Sequence, residues 1–211
     1  MKRKLINWVG LTGIISLVSY VAAVVFAPYA FRGYDWMSQA VSDLSAETAP
    51  SRQLWSQLAA AYGVCSPVCV MCVSIFISDN KIGTKLFRAG IHLFAVMNWI
   101  SAIGYKMFPL SDSGKIISTF QEKMHIAVTI AVVLLSIVSL IMLIVAGFKK
   151  CGMKGIGIWA AIALAMMFVG AIGKSAVSPD YFGIVERFSV FAAVGFNAVL
   201  GVYLLNGFKY D

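Results

Sequence analysis

Charge is the first thing this sequence is short of. Asp, Glu, Lys and Arg make up 12% of its residues, about half the ~25% of a soluble domain. With 60% hydrophobic residues beside it, that deficit excludes an ordinary water-soluble globular protein. Histidine is scarcer still. The only two, His92 and His125, fall at different depths of different apolar runs, which excludes a three-histidine metal site within one chain. The four cysteines form no disulfide framework. No polar stretch is long enough for a separate soluble domain, and no basic domain projects from the apolar runs, so nucleic acid is excluded as a partner. Segments alternating apolar and polar over about ten residues, the mark of a membrane β-barrel, are also lacking.

What is present is a set of long apolar runs, near 6–29, 54–77, 86–107, 121–147, 156–177 and 184–206. Each reaches the roughly 20 residues that cross a hydrocarbon core of about 30 Å. The fold class that follows is all-α: a polytopic membrane protein with six transmembrane helices in a bundle, residues 1–211 forming a single domain. Met1-Lys2-Arg3-Lys4 precedes the first run as in a signal peptide. That run exceeds the roughly 7–15 residues of a signal core, so it reads as a retained helix.

Charge sets the orientation. With both termini cytoplasmic, the inner segments hold ten bases against two acids and the outer segments seven against seven, so the net +8 lies wholly inside. The positive-inside rule favours this arrangement. The expected location is the cytoplasmic (cell) membrane, multi-pass, with membrane lipids as partners and the basic rim against anionic headgroups. Trp8 and Trp159 fall near the inner interface, Trp36 and Trp55 near the outer one, and Trp99 is an exception at mid-helix.

Polar residues inside the runs form stripes. Thr12, Ser16 and Ser19 share a face of the first helix, suited to bonds between helices or back to their own carbonyls. Cys65, Cys69 and Cys72 share a face of the second, beside a kink expected at Pro67. Soft-metal binding needs further ligands that are not nearby, so these read as packing residues; no metal and no cofactor is indicated. Asn98, Ser101 and Tyr105 line one face of the third helix, with Lys106 at its rim. An Asn98–Asn197 hydrogen bond is expected from their matched depths. Small residues along the fifth helix predict a central position for it.

The one long polar interruption runs from Ser42 to Arg52 in the first outer loop. Two compatible readings stand. Ser42 or Asp43 caps a short helical turn whose Glu suits the dipole, or Asp43, Ser45 and Glu47 enter a pocket between helix tips. Glu122 and His125, three apart at the start of the fourth helix, are neighbours on one face. The carboxylate can orient the imidazole for acid–base work, or the pair simply pins helix ends. Lys174 closes the fifth helix and Glu186-Arg187 opens the sixth. The topology brings Asp43, Glu47, Asp112, Glu122, His125, Lys174, Glu186 and Arg187 to one side of the membrane, as a candidate outer-facing polar pocket.

Three function classes fit. The first is binding of a small polar molecule or lipid headgroup in that pocket. The second is a membrane-embedded lipid hydrolase or transferase, with His125 as base, Glu122 orienting it, and Ser45 or Asp43 completing the site. The third is a structural or regulatory partner of another membrane protein. Residues 1–107 and 108–211 share no internal similarity, which counts against a secondary transporter.

Ser42-Asp43-Leu44-Ser45-Ala46 with Pro50, Phe108-Pro109 with Asp112, His125, and Glu186-Arg187 occur in this order across the chain. In that series the sequence resembles the bacterial and archaeal membrane proteins catalogued as domain of unknown function 998. The resemblance covers nearly the whole chain. It implies an integral membrane protein and carries no activity or catalytic residue with it.

Overall fold

The computed structural model describes residues 4–112, 119–149 and 152–209, with the side chain of Lys174 outside the described set. Short α1 (Leu5–Trp8) leads into α2 (Leu11–Phe26), which tightens into a 3₁₀ turn over Ala27–Ala30. After the first loop come α3 (Arg52–Leu58), α4 (Ala60–Asp79), α5 (Lys85–Met107), α6 (Phe120–Phe148), α7 (Lys154–Ala176) and α8 (Phe182–Leu205). Six of these segments are long and apolar enough to cross a membrane, the shortest spanning 20 residues, or about 30 Å at 1.5 Å per residue. The chain is a six-span helical membrane protein.

Two capping residues show why helices start where they do. Thr84 accepts from the Phe87 amide at 3.2 Å, and Thr119 from the Glu122 amide at 3.2 Å. Each removes one of the unpaired donors at a helix start.

The helices close a ring in the order α2, α4, α5, α6, α7, α8, with α8 returning to α2 and also touching α4. The spans built on α4 and α8 are the most buried, at 44% of their apolar windows against 33% for α7. The central position expected for the small-residue helix therefore belongs to α8 and α4. The small residues of α7 serve its two flanks instead: Gly157 meets Gly147 of α6, while Gly170 and Gly173 admit Ser189 and Val185 of α8. The tightest crossing is α2 on α8, where Gly10 and Gly13 face Gly201.

The second apolar run is not one helix. Its ladder is interrupted at Ala59, which leaves helical geometry at ψ 1°. The cause is Ser19. Its hydroxyl stands between the Leu58 carbonyl and the Tyr62 amide, donating to the first and accepting from the second at 3.0 Å. Those two groups would otherwise pair with each other, and a side chain inserted into the i→i−4 ladder is a known source of kinks. Pro67, where the kink was expected, lies inside the uninterrupted α4. Ser19→Ala deprives both backbone groups of their partner, so a loss of roughly 1–3 kcal/mol is expected. Thermal unfolding in detergent, compared with Ser56→Ala, measures it; the exposed Ser56 hydroxyl bonds back to the Gln53 carbonyl of its own helix.

A polar seam crosses the middle of the bundle. The two asparagines do not bond each other directly. Ser66 stands between them, donating to Asn98 Oδ1 at 2.9 Å and accepting from Asn197 Nδ2 at 3.0 Å. Asn98 Nδ2 turns back to the Phe94 carbonyl at 3.0 Å. The main apolar core surrounds this seam, with Phe94 of α5 edge-on to Phe196 of α8 at 5.2 Å.

Candidate functional site: the polar layer under the first loop

The first loop, residues 31–51, lies across the end of the bundle where α8 begins, opposite the end where Asn7 meets Leu204. Its apolar residues anchor it. Val41 and Leu44 are buried, and Val41 packs with Tyr20, Val24 and Val194. Between them Val41–Ser45 makes a 3₁₀ turn. Asp43 is buried and its Oδ2 accepts from the Ala40 amide at 3.1 Å. Ser45 donates to the Ser42 carbonyl at 3.0 Å, and fully buried Ser51 donates to the Leu44 carbonyl at 2.8 Å. These bonds fix the shape of the turn.

Glu186 and Arg187 tie the loop to the start of α8. Glu186 Oε2 accepts from the Val41 amide at 3.1 Å. Arg187 donates to the Gln39 carbonyl at 3.1 Å, to the Tyr34 hydroxyl at 2.7 Å and to the Gly183 carbonyl at 2.6 Å. The guanidinium also lies 6.0 Å from the Trp36 ring centre. The Ile184 amide donates to the Met37 carbonyl at 3.2 Å. Gly183 is required beneath this strap, since a Cβ there would stand 2.3 Å from the Gln39 oxygen. Burial pushes the Tyr34 phenol up, while the positive charge of Arg187 and the hydrogen bond from it pull the other way. Asp35 sits in the exposed part of the loop, and hydrogen bonds from the Ser38 hydroxyl and the Met37 amide hold its carboxyl below the usual range.

A second set of ties joins the loop to the α5–α6 connection. The Glu47 amide donates to the Leu110 carbonyl at 2.9 Å, while the Glu47 side chain is exposed. Thr48 donates to Asp112 at 3.0 Å. Beside it, Glu122 accepts from the Thr119 amide at 2.9 Å and completes a capping box. The His125 Nδ1–H donates to the Phe108 carbonyl at 2.8 Å. The backbone of Phe108, and not Glu122, thus orients the imidazole and leaves Nε2 as its acceptor.

Beneath both sets of ties lies a layer rich in tyrosine. Tyr20 of α2 is 6% exposed and meets Tyr62 of α4 at 4.7 Å, Trp55 of α3 at 5.7 Å and Phe191 of α8 at 5.8 Å. The Tyr62 hydroxyl faces Ser101 of α5. Tyr105 of α5 donates to Thr129 at 3.2 Å, and its ring centre is 5.1 Å from that of His125. Glu186 lies within electrostatic reach of Tyr20 and Tyr105. Its Oε1 makes no hydrogen bond among the described residues. The carboxylate therefore keeps one acceptor available.

The structure brings Asp43, Glu186 and Arg187 together under the loop, and Asp112, Glu122 and His125 around the α5–α6 connection, with the Tyr105–His125 contact between the two groups. The side chain of Lys174 lies outside the described residues. Tyr20, Tyr34 and Tyr62 are the residues that sequence reasoning passed over. A tyrosine in an apolar run reads as packing; the available signal was spacing, with Tyr20 beside Ser19 and Tyr105 on the Ser101 stripe.

No curated protein and no solved structure shows significant similarity to the chain. A family model, described as a protein of unknown function, matches residues 14–203 and so spans all six helical runs. This chain belongs to that family, DUF998.

Proposed function

We propose that this protein resides in the cell membrane with the first loop outside, and that the layer beneath that loop binds a small polar molecule or a lipid headgroup. The observation that carries the proposal is Glu186. An ionisable side chain set inside a membrane bundle is costly unless used or paired, and this one keeps Oε1 without a hydrogen bond among the described residues, within electrostatic reach of tyrosines from α2 and α5. A carboxylate above a layer rich in tyrosine suits a polar head with ammonium or hydroxyl groups. The loop is the cover of the site, so entry requires the strap between Arg187 and residues 34–39 to release. Bases at the opposite end support the orientation, with Lys4, Lys81, Lys85, Arg88, Lys149, Lys154 and Lys209 there against Asp79.

The hydrolase or transferase reading has less behind it. His125 has its Nε2 to offer, but the Ser45 hydroxyl donates to Ser42 and the Glu122 carboxylate takes the Thr119 amide. A regulatory role towards another membrane protein rests on no particular contact.

The test is mass spectrometry of what stays bound after gentle purification from native membranes. Wild type is expected to retain a defined polar molecule or lipid. Glu186→Gln keeps an oxygen for the Val41 amide but loses the charge, and is expected to lose the ligand by roughly tenfold or more, the worth of one hydrogen bond to a charged group. His125→Ala is expected to weaken it, and Cys69→Ala, at a thiol buried near α8, to retain it. Equal retention by all four proteins sinks the proposal, as does a wild type that carries nothing.

A further inference from the structure

The wall of this layer has an outer surface of its own. Tyr62, Ser101 and Tyr105 face inward from α4 and α5, and the residues next to them, Gly63, Ala102 and Lys106, line a groove of about 400 Å³ on the opposite side of the same helix pair. The rest of the lining is apolar, including Val64, Trp99 and Met107. These three side chains are exposed on the helical surface, Val64 at 61% and Met107 at 63%, where the surroundings of a transmembrane helix are lipid chains. The groove also accounts for Trp99, the one tryptophan away from both interfaces: its ring forms part of the wall.

Lys106 ends the groove. Its Nζ lies over Gly63, 3.5 Å from where a Cβ would be, so the absent side chain gives the ammonium its seat. Among the described residues Lys106 is in no hydrogen bond or ion pair. It sits seven residues beyond Trp99, about 10 Å higher along the helix. The groove is thus apolar along its length and positive at one end. A long lysine stem can lie on apolar surface while its head reaches the interface.

We propose that the α4/α5 groove is a seat for one anionic phospholipid, with an acyl chain along Val64, Val68 and Trp99 and the phosphate at the Lys106 ammonium. The charge decides the class: the cation matches a headgroup of net negative charge, whereas a zwitterionic head brings its own cation to the same place. This site is separate from the one under the first loop and stands or falls independently of it.

The probe is phosphatidylglycerol, against phosphatidylcholine, in native mass spectrometry of the intact protein released from mixed nanodiscs. Wild type is expected to keep one phosphatidylglycerol in preference to phosphatidylcholine. Lys106→Gln is expected to cut that preference by roughly tenfold, as for one charge-assisted hydrogen bond. Ala102→Trp, which fills the groove and leaves the lysine, is expected to displace the lipid without removing the charge. An unchanged preference in Lys106→Gln overturns the proposal. So does retention in Ala102→Trp, or a second copy of the chain seated on the groove in cross-linking. Because the Glu186→Gln variant leaves this groove intact, its phosphatidylglycerol preference is expected to equal wild type, which separates the two sites.

Discussion

Replacing Gly201 with alanine is expected to destabilise the protein by about 3 kcal/mol, near the upper end of the usual range for overpacking. The reason is backbone, not side chain. A Cβ at this position would stand 2.4 Å from the Gly10 carbonyl oxygen, 3.1 Å from the Gly13 Cα and 3.2 Å from Cys69 Sγ. The reciprocal contact is as close, with a Cβ on Gly10 falling 2.2 Å from the Gly201 oxygen. A flexible side chain could swing away; two helix backbones can only separate. Separation would loosen the α2–α8 contact that closes the ring and lift α2 from the seat of Cys69. A control lies in the same helix. A Cβ on Gly195 meets nothing within 4 Å, so Gly195→Ala is expected to be neutral or to gain up to about 1 kcal/mol of helix propensity. Thermal unfolding of both variants in one detergent measures the difference, which corresponds to on the order of 10 °C for a chain of this size. Equal melting of the two would mean that α2 and α8 do not cross at these glycines. Association of membrane helices depends on such close approach, because the lipid supplies no hydrophobic drive between helices.

The six spans were legible in the sequence because length and hydropathy are the only requirements for crossing a bilayer, and both are local. The interruption at Ala59 was not, because nothing local causes it. Residues 57–61 contain neither proline nor glycine, and the break comes from a hydroxyl on another helix. Pro67, by contrast, does not interrupt the helix, and α4 runs through it. Asn98 and Asn197 were placed at the right depth but given the wrong partner. Depth follows from residue counting, whereas the choice between a direct bond and a bond through Ser66 depends on helix rotation, which counting does not set. Glu122 and His125 show the same limit. Their spacing makes them neighbours, but the Thr119 amide and the Phe108 carbonyl are nearer competitors, and both belong to backbone that only the folded turn brings into reach. Gathering of the loop residues at one end of the bundle was legible, since six alternating spans dictate it. The tyrosine layer beneath them was not, because Tyr20, Tyr62 and Tyr105 come from three helices with no shared motif.

Arg187→Ala is expected to release the first loop. The guanidinium bonds Gln39 and Tyr34 across 148 and 153 residues of sequence, and Gly183 on its own helix. Loss of the two long-range bonds alone removes about 3 kcal/mol at 1.5 kcal/mol each, on the order of 100-fold in the opening equilibrium. The loop retains other anchors, the Met37 carbonyl on the Ile184 amide, Val41 in its apolar pocket and the Glu186 carboxylate on the Val41 amide, so opening is expected between residues 31 and 36 while the turn at Val41–Ser45 stays docked. Arg32 lies exposed within that stretch and offers trypsin a cleavage site. Cleavage after Arg32 is expected to accelerate by up to the same factor in the variant, because proteolysis follows the population of the open form when reclosing is fast. Arg187→Lys is expected to rescue little: a single ammonium cannot present the planar fork that reaches the Tyr34 hydroxyl and the Gln39 carbonyl at once. Wild-type cleavage rates in Arg187→Ala would show that the strap does not hold the loop. If the loop covers a binding site, the same variant gains a second property. Ligand would exchange faster in both directions, since association and release pass through the same opening, and affinity would fall less than the rates rise. A latch residue differs in this from Glu186, whose loss is expected to lower retention itself.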